Sequence, residues 1–328
     1  MRKLLYVLLV ISSFSFSLPT LAADEVANEQ AIILETDSGK ISGSLLLPEK
    51  IEKPAVVLII AGSGPTDRDG NSLGMKGQNN SLKMLAQALA KAGYASVRFD
   101  KRGIAASGAA ATSESALRFE TYVQDATSWL KMLKADARFT EVAILGHSEG
   151  SLIAMMAAQQ QTVKALVSIA GPAQNAADIL REQFQGKLPP LLAQKNEELL
   201  SSLQAGKLVS DAPAELKSMY RDSVQPYLIS WFHYTPEQEI RKLTCPVLLL
   251  QGNNDIQVAV KQANALKAAK PDASLVVVHN MNHVLKTVTG DMAQQMASYT
   301  DPALPLSPEL SEALTSFLRK NMTQASRP

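Results

Sequence analysis

The stretch Val142–Gly150 leaves this chain few ways to fold. It reads Val-Ala-Ile-Leu-Gly-His-Ser-Glu-Gly, and Ser151-Leu-Ile-Ala-Met-Met-Ala-Ala follows. A short apolar run, of strand length, ends in Gly-x-Ser-x-Gly and passes straight into an apolar helical run. Strand, sharp turn and helix are the context in which that motif carries chemistry. Such a turn holds Ser148 at a strained backbone angle, with its hydroxyl projecting above a sheet edge. Gly146 and Gly150 have no Cβ, so strand and helix can close on each other. The helix start aims free N–H groups and positive dipole at any oxyanion formed beside Ser148. Ser148 is therefore the expected nucleophile.

Around this turn the chain alternates between strand and helix patterns. Ala31–Glu35 and Lys40–Leu47, split by Thr36-Asp37-Ser38-Gly39, predict an antiparallel hairpin. Ala55–Ile60, Ala95–Phe99, Val142–Leu145, Ala165–Ile169, Val247–Gln251 and Ser274–Val278 predict strands, most of them continuous apolar runs of the kind buried on both faces. Helices are expected from Ser81, which is placed as the cap, to Gly93. Others follow along Phe119–Leu133, after Ser148, over Val260–Ala269 and around Leu310–Leu318. The fold class is α/β, with a mostly parallel sheet flanked by helices. From about Asn175 to Ile240 the strand pattern stops and prolines punctuate a helical composition, so residues 175–240 are expected to be an inserted helical cap. Residues 24–174 and 241–328 form the core.

Met1-Arg-Lys, the apolar run from Leu4 and the small residues Thr20-Leu21-Ala22-Ala23 predict a secretory signal peptide over residues 1–23, hence a periplasmic or secreted protein. No later run is long and apolar enough to span a bilayer. The formal charge of +1 falls slightly below zero once Arg2 and Lys3 are removed, and no basic tract points to nucleic acid. Cys245 has no second cysteine to pair with and is expected to be a buried structural thiol. No cysteine or histidine cluster has metal-ligand spacing, and no dinucleotide or phosphate-binding glycine pattern is present. No cofactor or metal is expected.

In a parallel sheet the site lies beyond the carboxyl ends of the strands. A serine hydroxyl there needs a base, and the chain has four histidines. His147 adjoins Ser148 and must point elsewhere. His233 falls among cap aromatics, where packing is expected. His279 closes the last strand and is the fallback. His283, in the following loop Asn280-Met-Asn-His-Val, is the expected base. Asp255, just past Val247–Gln251, is the expected acid partner that fixes its tautomer, with Asp272 and Asp291 as competitors. The order Ser148, Asp255, His283 is the one this architecture uses. Two oxyanion donors are expected: the N–H of Glu149 and the N–H of Ser63, with Gly64 as second choice. The Glu149 side chain is expected to be solvated. Asp67, Arg68 and Asp69 are read as a salt-bridged brace, and Asp100, Arg102 and Gly103 as a pin beneath the site.

Gly-His-Ser-Glu-Gly, Asp-Lys-Arg-Gly before Ala-Ser-Gly, and Gly-Asn-Asn-Asp with Asn-His resemble the α/β-hydrolase superfamily. The loop Gly-Ser-Gly-Pro-Thr-Asp-Arg-Asp-Gly-Asn resembles secreted bacterial serine hydrolases near the dienelactone hydrolase and serine aminopeptidase-like group. The resemblance covers nearly all of the chain after the leader, least of all the cap. It implies a Ser148–Asp255–His283 triad, Ser63 and Glu149 as oxyanion donors, no cofactor, and hydrolysis of an ester-type bond in a small molecule. Ala61 departs from the pattern, standing where many members have His; the donor beside it is a backbone group. Leu191, Leu192, Tyr227, Trp231, Phe232 and Tyr234 are expected to form an acyl or aryl pocket or the cap's own core. An aminopeptidase or thioesterase would use the same triad, and a ligand-binding hydrolase fold without turnover is the alternative of a different class.

Overall fold

In the computed structural model, which describes residues 28–49 and 51–323, β1 (Glu29–Thr36) and β2 (Gly39–Leu46) form the antiparallel hairpin around Asp37-Ser38. The leader expected over residues 1–23 lies outside the described residues. The strands β3 (Val56–Ile60), β4 (Ala95–Phe99), β5 (Val142–His147), β6 (Leu166–Ile169), β7 (Val247–Gly252) and β8 (Ser274–Val278) follow in the chain. They assemble one eight-stranded sheet in the order β1-β2-β4-β3-β5-β6-β7-β8. Only the β1–β2 and β2–β4 pairings are antiparallel.

The continuous apolar runs are explained by what covers them. Every residue of β3, β4, β5, β6 and β7 is buried, whereas the edge strand β8 keeps Ser274 and Val277 exposed. Side chains alternate between faces. Val56, Leu58 and Ile60 pack under α2 (Phe119–Ala135), α3 (Glu149–Gln160) and α9 (Val260–Ala269). Val57 and Ile59 pack under α1 (Ser81–Lys91) and the closing helix, α11 (Pro308–Asn321).

Between β6 and β7 stand α4 (Ala176–Phe184), α5 (Pro190–Gln204), α6 (Lys217–Tyr220), α7 (Gln225–Trp231) and α8 (Pro236–Arg241). They enclose a smaller core of their own, with Leu199, Leu200, Leu203, Tyr220 and Phe232 buried in it. Tyr220 donates its hydroxyl hydrogen to Asn196 there at 2.7 Å.

Two local expectations need correction. Ser81 is the first buried residue of α1 rather than its cap. Asn80 precedes it in a left-handed conformation at φ 51°, and the free N–H groups are satisfied from outside: Ser81 donates to Asn79 Oδ1 and Leu82 to the Asp69 carbonyl. A further helix, α10 (Met292–Ser298), interrupts the stretch before α11. Among the described residues no helix is long and apolar enough to cross a membrane.

Candidate active site

At the end of β5, Ser148 adopts φ 54° and ψ −121°, a conformation that costs a side-chain-bearing residue about 1–3 kcal/mol. The strain is held from both sides. The Ser148 N–H donates to the Ile169 carbonyl and the Ser148 carbonyl accepts from Ser151 N, each at 2.9 Å. The flanking glycines are obligatory: a Cβ on Gly146 would lie 2.0 Å from the Gly150 carbonyl oxygen, and one on Gly150 would lie 2.5 Å from that of Ile60. The loop after β3 closes against the same turn, since a Cβ on Gly62 would be 3.2 Å from Ser148 Cβ and 3.3 Å from His147 Nδ1.

The loops after β7 and β8 are joined as tightly. Asn253 and Asn254 donate their N–H groups to the Val278 and Met281 carbonyls at 3.1 Å, and Gly252 leaves no room for a Cβ beside Met281. This closeness brings Asp255 and His283 together: His283 Nδ1 lies 2.8 Å from Asp255 Oδ2. Both side chains are buried. Asp255 Oδ1 accepts from the N–H groups of Gln257 at 2.8 Å and Val258 at 3.0 Å. Burial acts to raise the Asp255 pKa, but the adjacent imidazole and these hydrogen bonds outweigh it, so the carboxyl sits below its ordinary range. An ionised Asp255 accepts the Nδ1 proton and leaves the Nε2 lone pair as the basic site.

His147 points away from the serine hydroxyl, as its position required. Its Nε2 lies 2.8 Å from the His283 carbonyl, and the two rings are 4.8 Å apart. A carbonyl can only accept, so Nε2 carries the proton. Burial, and then His283 itself, push the His147 pKa down to about 3. His147 is thus a neutral strut that holds the His283 backbone beside the serine turn. Neither Ser148 Oγ nor His283 Nε2 has a hydrogen-bond partner among the described residues; in hydrolytic sites this contact commonly tightens only with substrate bound.

Ser63 and Glu149 line a cavity of about 600 Å3 between the sheet rim and the helices that follow β6. Their backbone N–H groups have no acceptor among the described residues. Tyr122, Tyr227 and Trp231 give the cavity aromatic walls, and Glu114 and Arg221 border it as an ion pair.

The Glu149 side chain is not solvated. It is buried, and its Oε2 accepts from Lys101 Nζ at 2.8 Å while Oε1 accepts from the Tyr227 hydroxyl. The correction has a physical cause: the first turn of α3 is covered by α7 and by the loop after β4, and a buried carboxylate requires a partner. Sequence reasoning gave Lys101 no role. The available signal was a lysine two residues past the end of a fully buried strand, on the rim that also holds Glu149.

Other assignments sort cleanly. Arg68 pairs with Asp100 at 2.7 Å, Asp67 accepts from the Asn71 N–H at 2.8 Å, and Asp69 pairs with Arg98, which together make the expected brace. Arg102 forms a buried pair with Asp125 at 2.5 Å. The competing carboxylates are engaged elsewhere: Asp272 with Lys270, and Asp291 as the cap of α10. His233 is exposed rather than packed, because it follows the end of α7 and faces out. His279 is exposed, its ring 3.4 Å from Asn253. Cys245 is only half-buried. Of the cap side chains, Tyr227 and Trp231 reach the cavity, Phe232 belongs to the cap's core, and Leu191 is 84% exposed.

Residues 73–287 match the family described as serine aminopeptidase, S33. The chain belongs to this family. The matched segment includes Ser148, Asp255 and His283; Ser63 precedes it. The chain is 26% identical over 274 residues to esterase EstD of Thermotoga maritima, an alignment that spans 82% of this chain and 63% of that protein's length. Among solved structures it resembles Est1E of Butyrivibrio proteoclasticus with ferulic acid bound, at a TM-score of 0.60 and 20% identity, covering 89% of this chain and 99% of that one. It also resembles a Pyrococcus furiosus esterase, at a TM-score of 0.57 and 17% identity, covering 96% of each chain. These likenesses establish the α/β-hydrolase fold, with its strand order and its loops gathered at one rim.

Proposed function

We propose that this protein is a serine hydrolase that cleaves carboxylic esters of small acyl or aryl groups through an acyl-enzyme on Ser148. The observation that carries the proposal is the convergence of a strained serine turn, φ 54° at Ser148, with a buried His283–Asp255 pair at 2.8 Å. His283 Nε2 takes the proton of Ser148 Oγ as the oxygen attacks the ester carbon. The carbonyl oxygen becomes an oxyanion held by the Ser63 and Glu149 N–H groups. Its collapse expels the alcohol, which leaves with the proton from His283. Water then loses a proton to His283, attacks the acyl carbon and releases the acid, and Ser148 recovers its proton. Asp255 stabilises the imidazolium at both stages.

The charge on the cavity wall favours esters over peptides with a free amino terminus. Both bordering carboxylates already have cationic partners, Glu149 with Lys101 and Glu114 with Arg221. Among the described residues no unpaired carboxylate lines this cavity to hold a substrate ammonium. The name of the EstD relative points the same way.

Purified Ser148→Ala is expected to lose p-nitrophenyl acetate and butyrate turnover by at least about 10³-fold while keeping its fold by circular dichroism. Undiminished turnover by the folded variant overturns the proposal. A parallel panel of aminoacyl amides and thioesters is expected to be cleaved more slowly than the esters. The leader Met1–Ala23 further supports export to the periplasm or medium, and mass spectrometry of the exported chain is expected to find cleavage after Ala22 or Ala23.

A further inference from the structure

One peptide unit carries both the Gly62 carbonyl and the Ser63 N–H. Its N–H end is the oxyanion donor proposed above. Its carbonyl end accepts from Lys101 Nζ at 2.7 Å. The same ammonium donates to Glu149 Oε2 at 2.8 Å and stands 5.0 Å from the centre of the Tyr122 ring. A carbonyl oxygen, a carboxylate oxygen and an aromatic face thus surround its three protons. Glu149 supplies the second oxyanion donor through its own N–H, and its other carboxylate oxygen accepts from Tyr227 of α7.

We propose that Lys101 is a positioning residue for the oxyanion seat, and that the chain Lys101–Glu149–Tyr227 makes the geometry of that seat depend on the docking of α7. This rests on the ester-hydrolase reading. Ser63 lies between two glycines, Gly62 and Gly64, the latter at φ 72°, so its preceding peptide is easily rotated. A rotation that turned the N–H out of the cavity would also tear the Gly62 carbonyl from a buried ammonium. Lys101 therefore locks the plane of this peptide. It also polarises it, because a charged donor on the carbonyl strengthens the N–H as a donor. Both oxyanion donors are fixed through one ammonium–carboxylate pair, and Tyr227 adds the contact from the cap. The competing role for Lys101 is mere neutralisation of Glu149, and the two roles part when both charges are removed together.

The test compares the wild type with Lys101→Met, the double variant Lys101→Met/Glu149→Gln, and Tyr227→Phe. In the double variant no buried carboxylate is left unpaired, and the introduced side-chain amide keeps a carbonyl oxygen to accept from Tyr227. Thermal stability is therefore expected to return toward the wild type. Ester turnover is not. Its kcat is expected to remain about 10- to 100-fold down with KM within about threefold, as befits impairment of one oxyanion donor. Labelling of Ser148 by a fluorophosphonate, followed by intact mass, is expected to slow by a similar factor. Tyr227→Phe keeps the ion pair and is expected to lower kcat severalfold. A stable double variant with wild-type kcat and labelling rate reduces Lys101 to a counter-ion and overturns the proposal; an unaltered Tyr227→Phe overturns its cap limb. A wild type that neither turns over esters nor labels at Ser148 instead overturns the underlying hydrolase reading, and this inference with it.

Discussion

The rim of the sheet and the cap above it use the same kinds of charged side chain in opposite ways. On the rim, Lys101–Glu149, Arg102–Asp125 and Arg68–Asp100 are pairs of mostly buried groups. In the cap, Arg181–Glu197 and Lys195–Glu198 are exposed to water along much of their length, as is Arg221–Glu114, which ties the cap to the segment after β4. Buried pairs are expensive to desolvate and more expensive to break, so they impose one geometry. Exposed pairs are screened and contribute little individually. The cap has a small core of its own. It meets the rest of the molecule through the Tyr227–Glu149 and Phe119 N–Ser230 Oγ hydrogen bonds, the latter at 2.8 Å, through the Arg221–Glu114 pair, and through Tyr227, Trp231 and Tyr234 packed about the Phe119 ring. The rim holds its charged groups in one geometry, whereas the helices between β6 and β7 carry most of theirs in water.

The sharpest way to break this contrast is to alter a rim group that bears directly on the chemistry. Asp255→Asn leaves shape and packing but is expected to reduce kcat for p-nitrophenyl butyrate by about 10⁴-fold, because the amide favours the wrong imidazole tautomer. Next in size, Arg102→Met strands Asp125, whose pKa burial already raises against the pull of Arg102. Urea unfolding is expected to show a loss of about 3–5 kcal/mol. Third comes His147. Its imidazole titrates near 6.5 when unfolded and near 3 when folded. The unfolded chain binds the extra proton in that window, so the stability from the neutral ring is complete above about pH 6.5 and falls as pH drops toward 3. One such group changes stability by about 1.4 kcal/mol per pH unit, and His147→Gln is expected to flatten the profile between pH 6 and 4 by up to that slope. Last, Arg181→Met in the cap is expected to change stability by less than about 1 kcal/mol. A cap variant as damaging as Arg102→Met would erase the distinction between the two regions.

Much of this architecture is legible in the chain because the forces that set it are local. Short β-branched apolar runs bounded by turn formers, such as Val56–Ile60 between Pro54 and Gly62, read as strands covered on both sides, and strand–helix alternation then points to a mostly parallel sheet. The Asp255–His283 hydrogen bond is anticipated by chain order and by the convergence of loops at one rim. What stays hidden depends on packing between distant segments. The burial of Glu149 follows from α7 and the loop after β4 lying over α3, and nothing next to Glu149 in the chain announces a lysine forty-eight positions away. The helix α10 has little apolar periodicity, with Met292 and Met296 exposed. It exists to serve a buried polar contact, since Asn282, next to His283, donates to Gln295 Oε1 at 3.1 Å and Ser298 Oγ at 2.7 Å. The start of α1 is misread because Ser81 is taken as the cap, whereas the side-chain acceptor is Asn79 two residues earlier and the next N–H goes to the Asp69 carbonyl, outside the window that a capping rule inspects.

Arg98, buried within β4, divides its guanidinium between Glu29 at the very start of β1 and Asp69 in the loop that descends from Ser63. The first residue of the hairpin is therefore in electrostatic communication with the segment that carries the proposed oxyanion donor, Ser63, across the width of three strands. A version of this protein trimmed by a few residues past Glu29 would lose no part of the reactive centre, yet it would leave Arg98 with a single counter-charge and slacken its grip on Asp69. The presence of Glu29 thus bears on how firmly a distant loop is tensioned.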